Sequence, residues 1–123
     1  MKLSTKIVKR FQLIGQACAL AGINTSHSGN ISLRAGNRIY ITRRGAMKGF
    51  LTARDIIAVG LVPLGCVRPA DGGINSVPCL PRRRRGRGGA TGADRNASTE
   101  VNIHRAIYNT TSAGAVLHTH PPT

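Results

Sequence analysis

The apolar positions of this chain fall into blocks with different periods. In the first block Ile7, Phe11, Ile14, Cys18 and Ala21 recur at spacings of four and three, which lines them along one face of a helix over residues 3–21. Ser4, Lys6, Lys9 and Gln12 fall mostly on the other faces, and Gly22 stands where a helix-ending glycine belongs. Residues 24–30 are polar and turn-rich. After them, Ile31-Ser32-Leu33-Arg34 and Ile39-Tyr40-Ile41-Thr42 alternate apolar and polar around Gly36-Asn37, the pattern of a β-hairpin. Residues 43–49 make a second glycine-containing loop, and residues 51–55 can start a short helical turn. The β-branched run Ile56-Ile57-Ala58-Val59 suits a buried strand.

The periodicity then stops. From Pro63 to about Ala97 the chain is mostly Gly, Pro, Arg and Ala, and it includes Arg82-Arg83-Arg84-Arg85-Gly86-Arg87-Gly88-Gly89. That composition cannot bury enough apolar surface to pack, so a disordered insert is expected over residues 63–97, inside one domain spanning residues 1–123. Order returns with a helix over residues 99–108. Ser98 or Thr99 can cap it, Glu100 falls in its first turn, and Ile103 and Ile107 are placed on its buried side. Residues 115–120 read as a strand ended by Pro121-Pro122. The order helix, hairpin, strand, insert, helix, strand predicts helices covering a mixed or antiparallel sheet.

Charge narrows the partners. Eighteen Lys and Arg against four Asp and Glu give a formal net charge of +14, which favours polyanions: nucleic acid, an anionic membrane or phosphorylated substrates. The chain has no apolar run of the roughly 20 residues that a membrane span needs. Its first residues, MKLSTKIVKRFQ, show no apolar signal-peptide core, so a cytoplasmic protein is expected. Cys18, Cys66 and Cys79 include no Cys-x-x-Cys pair and read as free thiols of a reducing compartment.

Against this background a few residues suggest chemistry. In His118-Thr119-His120 the histidines lie two apart on a strand, so both imidazoles project from one face at a spacing able to grip one metal ion. Two ordinary histidines are the simpler account of that pair. Ser98-Thr99-Glu100 opens a helix, where free backbone N–H groups and two hydroxyls can hold an anion or can simply cap. Ser28-Gly29-Asn30 and residues 42–45 are glycine-containing loops that allow close backbone approach, and ordinary turn chemistry accounts for either one alone.

Together, HSGNISLR, ITRRGAMKGFL, ASTEVNIHRAIY and AVLHTHPP stand in an order that resembles the class II aldolase/adducin family. The resemblance covers residues 6–60 and 98–122. It implies a three-layer α/β/α sandwich with a mixed, mostly antiparallel central sheet. It also implies a zinc-dependent sugar-phosphate lyase, an aldolase acting through a zinc-stabilised enediolate, with an epimerase or dehydratase also within the family's range. Carried over residue by residue, it places zinc on His118 and His120 and acid/base catalysis on Glu100. It places substrate phosphate on Ser28, Gly29, Asn30, Thr42, Gly45, Ser98 and Thr99. A homo-oligomer, a tetramer by the same resemblance, is implied as well.

Two departures stand out. Arg44 occupies a position where the family commonly has Ser or Thr, and can either grip a phosphate or block the loop. The family's third zinc histidine and its C-terminal strands lie downstream of Thr123, so weak metal binding and little turnover are expected of this chain alone. Glu100 would be the remaining candidate ligand. The basic run from Arg82 to Arg87 supports an alternative: a nucleic-acid-binding or non-catalytic adducin-like protein. The same composition also fits the translation of a shifted, GC-rich reading frame.

Overall fold

In the computed structural model, which describes residues 3–24, 27–61 and 95–121, the apolar stripe near the N-terminus forms helix α1, Thr5–Leu20. Phe11, Gly15 and Cys18 are its buried positions. At its end Gly22 takes φ +70°, a left-handed conformation that only glycine adopts cheaply, and Ile23 N–H returns to Cys18 O at 3.2 Å. Cys18 is a buried free thiol; Cys66 and Cys79 lie outside the described residues.

The hairpin forms as its alternation predicts. Strand β1, Asn30–Ala35, pairs antiparallel with β2, Arg38–Thr42, around the Gly36-Asn37 turn. Two short 3-10 turns follow, Lys48–Phe50 and Ala53–Asp55, and then strand β3, Ile56–Gly60. The second turn is fastened by a capping box in which Asp55 Oδ2 accepts from Thr52 N at 2.9 Å and from Thr52 Oγ1 at 3.0 Å. After residue 95 come helix α2, Val101–Thr110, and strand β4, Ala115–His118. Among the described residues the sheet has the order β3-β2-β1-β4, and all of its pairings are antiparallel.

Alternation along the strands sends side chains to two faces, and a helix covers each. On one face Ile31 and Ile56 pack with Phe11, Ala46 and Leu51, with Ile7, Ile14, Leu33 and Tyr40 at the margin; this is the α1 layer. On the other face Ile39, Ile41, Val59 and Leu61 pack with Ala97, Val101 and Tyr108; this is the α2 layer. The chain is therefore a helix–sheet–helix sandwich. Each large apolar side chain fully buried in these layers contributes roughly 1.5–3 kcal/mol.

Three expectations need correction. Ile103 is 57% exposed, and the buried face of α2 carries Val101, His104, Arg105 and Tyr108. Hydropathy picked the isoleucines, but the sheet under α2 offers polar partners. Arg105 Nε donates to Gly60 O at 2.9 Å, and His104 meets Asn30 and Ser32. Second, the last strand stops at His118, so His120 lies beyond it. Its N–H leaves the sheet to reach Ile23 O and Asn24 Oδ1, both at 3.1 Å. Third, Ala97, read as the tail of the arginine-rich stretch, is fully buried and bridges Arg43, while Arg44 N–H donates to Asn96 O at 2.9 Å. The rest of that stretch, including Arg82 to Arg87, lies outside the described residues.

Candidate active site

The site is built where β1, β4 and α2 meet. Antiparallel register sets Asn30 opposite His118, so both side chains leave the sheet on the α2 face. On α2 and its N-cap, Glu100, His104 and Tyr108 recur every fourth residue and form one stripe over β1. The stripe meets the two β1 positions that point toward it. Asn30 Nδ2 donates to Glu100 Oε2 at 2.7 Å, and its Oδ1 meets His104 Nε2. Ser32 Oγ lies 2.6 Å from His104 Nδ1 and 2.7 Å from Tyr108 Oη. Glu100 Oε2 also accepts a hydrogen bond from His118 Nδ1.

Glu100 sits at the N-cap rather than inside the first turn, and its own N–H donates to Ser98 Oγ at 3.3 Å. The Ser98 hydroxyl thus holds the Glu100 amide in a local turn ahead of the helix and does not cap it. In front of Glu100 opens a cavity of about 160 Å³. One wall is Asn30, Glu100, His118 and His120, whose imidazole centroids are 4.6 Å apart. The loop carrying Arg43, Arg44, Gly45 and Lys48 also lines the cavity, with His27, Gly29, Ser98 and Thr99 completing the lining.

That loop holds its shape through local bonds. Ala46 N–H closes a turn onto Arg43 O at 3.1 Å, and Gly45 at φ +72° occupies the position that such a turn reserves for glycine. His27 Nδ1 donates to Gly45 O at 2.8 Å, linking the two glycine loops. Lys48 is 3% exposed, and its Nζ donates to Ala46 O at 2.8 Å and His27 O at 3.1 Å. Arg43 pairs with Asp55, its Nη2 2.8 Å from Oδ1.

The electrostatics follow from these contacts. The Asn30 amide, aided by His118, outweighs burial and holds the Glu100 carboxyl below its ordinary range, so it is ionised at neutral pH and able to accept a proton. Burial lowers the His104 pKa, although the Glu100 charge pulls the other way, and the ring stays neutral. Burial also lowers Lys48, with the nearby Asp55 charge opposing it. Burial raises the Tyr108 phenol.

The profile of the Class II Aldolase and Adducin N-terminal domain matches residues 9–123. The chain belongs to this family. It is 37% identical, over 93 residues, to an L-fuculose phosphate aldolase of Methanococcus maripaludis, a stretch that is 75% of this chain and 37% of that protein. It is 35% identical, over 95 residues, to a probable bifunctional methylthioribose-1-phosphate isomerase/methylthioribulose-1-phosphate dehydratase of Nocardia farcinica, covering 77% of this chain and 13% of that one. Among solved structures, the L-fuculose-1-phosphate aldolase of Thermus thermophilus superposes with a TM-score of 0.66 at 24% identity, over 94% of this chain and 46% of that one. YgbL of Klebsiella pneumoniae, a putative aldolase/epimerase/decarboxylase, gives 0.65 at 23% identity, over 98% and 47%. These structures share the fold, and this class II aldolase-family chain spans less than half the length of each relative named here.

Within the family domain, eight of the ten residues given site roles from sequence converge on the cavity: Gly29, Asn30, Gly45, Ser98, Thr99, Glu100, His118 and His120. Thr42 does not. It is fully buried, and its Oγ1 accepts Ile31 N–H at 3.3 Å, a structural use of the hydroxyl. Ser28 is outside the lining as well. Arg44 is exposed and lines the cavity without filling it. Sequence reading missed Arg43 and Lys48 as lining residues, and His104, Ser32 and Tyr108 as the support beneath Glu100. The four-residue spacing of Glu100, His104 and Tyr108 was the available signal.

The donors fit a divalent metal in part. With His118 Nδ1 donating to Glu100, Nε2 keeps its lone pair for a metal, the usual orienting role of a carboxylate behind a ligand histidine. A catalytic zinc takes three protein ligands. Among the described residues no group of three His, Cys, Asp or Glu is placed to hold an ion. Glu100, a candidate third ligand from sequence, is engaged instead by Asn30 and His118.

Proposed function

We propose that this chain contributes the proton-transfer and metal-binding face of a sugar-phosphate lyase site, one that cleaves a phosphorylated ketose by an aldol reaction. The observation that carries the reading is one cavity lined by two chemically different sets of groups: an ionised carboxylate beside two imidazoles, and a loop rich in cations and glycine. A sugar phosphate is matched to such a cavity. Its phosphate suits Arg43, Arg44 and Lys48 together with the backbone around Gly29, Gly45, Ser98 and Thr99. Binding there sets the hydroxy-ketone end toward Glu100, which exchanges the proton at the reacting carbon. Positioned acid/base groups typically supply about 10²–10⁴-fold in rate. In this reading zinc is held by His118 and His120, and when bound it supplies positive charge that polarises the hydroxy-ketone end. A cytoplasmic homo-oligomer belongs to the same proposal, by family resemblance.

The first test is zinc content per chain in the parent and in a His118→Ala/His120→Ala variant. Zinc in the parent and none in the variant is the expected result; equal content in both would overturn the metal assignment. Where the parent cleaves a sugar phosphate, Glu100→Gln is expected to lower turnover by at least 10²-fold with little change in phosphate binding. Unchanged turnover would remove Glu100 from proton transfer.

A further inference from the structure

The polar stripe beneath Glu100 has a direction that can be worked out from which atoms can donate. An ionised carboxylate only accepts, so the Asn30 group 2.7 Å from Glu100 Oε2 is the amide NH₂. That places Asn30 Oδ1 toward His104, and an amide oxygen also only accepts, so His104 Nε2 carries a proton. His104 is 1% exposed among Ser32, Asn30 and Tyr108, a setting that disfavours an imidazolium, so Nδ1 keeps a lone pair. The Ser32 hydroxyl then donates to Nδ1 across 2.6 Å, and its oxygen is left to accept from the Tyr108 hydroxyl across 2.7 Å.

We propose that Tyr108, Ser32, His104 and Asn30 form a one-way hydrogen-bond relay whose role is to position Glu100, with every hydrogen bond donated toward its carboxylate. His104 is the keystone of the relay: of its two neutral tautomers only the Nε2–H form satisfies Ser32 and Asn30 together. Asn30 is thereby a positioning residue, since both ends of its amide are committed. The relay rests on Glu100 being the proton-transfer carboxylate. Its benefit is a long, flexible acid held in one rotamer against the cavity by groups that are themselves locked by burial.

The test reads neither turnover nor metal, so its failure is separable from failure of the proposed function. In protein labelled with ¹⁵N at histidine and asparagine, the ring nitrogens of His104 are assigned at neutral pH. The expected form is protonated at Nε2 alone; a ring protonated at Nδ1, alone or in addition, overturns the relay, and this result needs no variant to fold. The Asn30 side-chain amide is followed in parallel. A shifted, slowly exchanging signal is expected in the parent, lost in His104→Leu and restored in His104→Gln, whose side-chain amide can donate in place of Nε2–H. An Asn30 signal indifferent to the leucine, in a variant whose backbone spectrum otherwise matches the parent, overturns the proposal equally.

Discussion

Several residues in this site carry polar groups into the interior, and each is answered by a specific partner. Asp55 is the clearest case. Burial alone would raise its carboxyl, but hydrogen bonds from Arg43 and Thr52 and the Arg43 charge hold it below its ordinary value of 3.8. Replacing it by Asn keeps the shape and removes the charge. We expect Asp55→Asn to cost about 1–3 kcal/mol in denaturant unfolding, because Arg43 and the Thr52 cap each lose a charged acceptor. His104 makes a pH prediction. Its folded pKa lies below 6.5, so above that pH both states are neutral and its contribution is constant; as pH falls below 6.5 the unfolded chain takes up a proton that the folded chain refuses, and stability is lost. Asp55 and Glu100 act with the same sign, but only once pH falls through the carboxylate range. The melting temperature is therefore expected to drop between pH 7 and pH 5, and the drop should shrink in His104→Gln. An equal drop in both proteins would assign it elsewhere.

At the scale of elements, the contacts that shape the cavity are made by glycines where two backbones nearly touch. Gly15 lies in α1, where alanine normally stabilises by about 1 kcal/mol. Here an added Cβ would stand 2.0 Å from Lys48 O. Gly15→Ala is thus expected to destabilise, by roughly 1–3 kcal/mol as overpacking does, and to disturb the turn that presents Lys48 to the cavity. Chemical denaturation checks the sign: a more stable variant would contradict the close packing of α1 on that turn. Gly29 combines a φ of +73° with an approach in which a Cβ would meet His118 O at 2.3 Å. Gly29→Ala should therefore separate the first loop from the end of β4. Weaker zinc retention than the parent is the expected consequence, measured as metal content after dialysis.

At the scale of the whole molecule, the sandwich gathers residues from both ends of the chain into one cavity, where Asn30 and Glu100, 70 positions apart, are hydrogen-bonded. Its elements were largely legible in the sequence. Phe11, Ile14 and Cys18 announce α1 by their period, and Ile31, Ile39 and Ile41 announce the hairpin by alternation, because burial on one face leaves a periodic trace. That Glu100, His118 and His120 belong together was legible as well, from motifs in a family's order, and the three do line one cavity. What the tertiary structure alone decided is how polar residues pair. The same hydroxyl chemistry serves as a cavity group at Ser98, a strand fastener at Thr42 and a partner of His104 at Ser32, according to what faces it across the fold. The buried side of α2 was misread for the same reason: hydropathy ranks Ile103 above His104, but a buried polar group is stable wherever a partner is waiting, and Asn30 and Ser32 wait on a strand far away in the chain. Periodicity is local and can be read along a sequence. Hydrogen-bond satisfaction is a property of two distant segments at once, and it exists only after folding has brought them together.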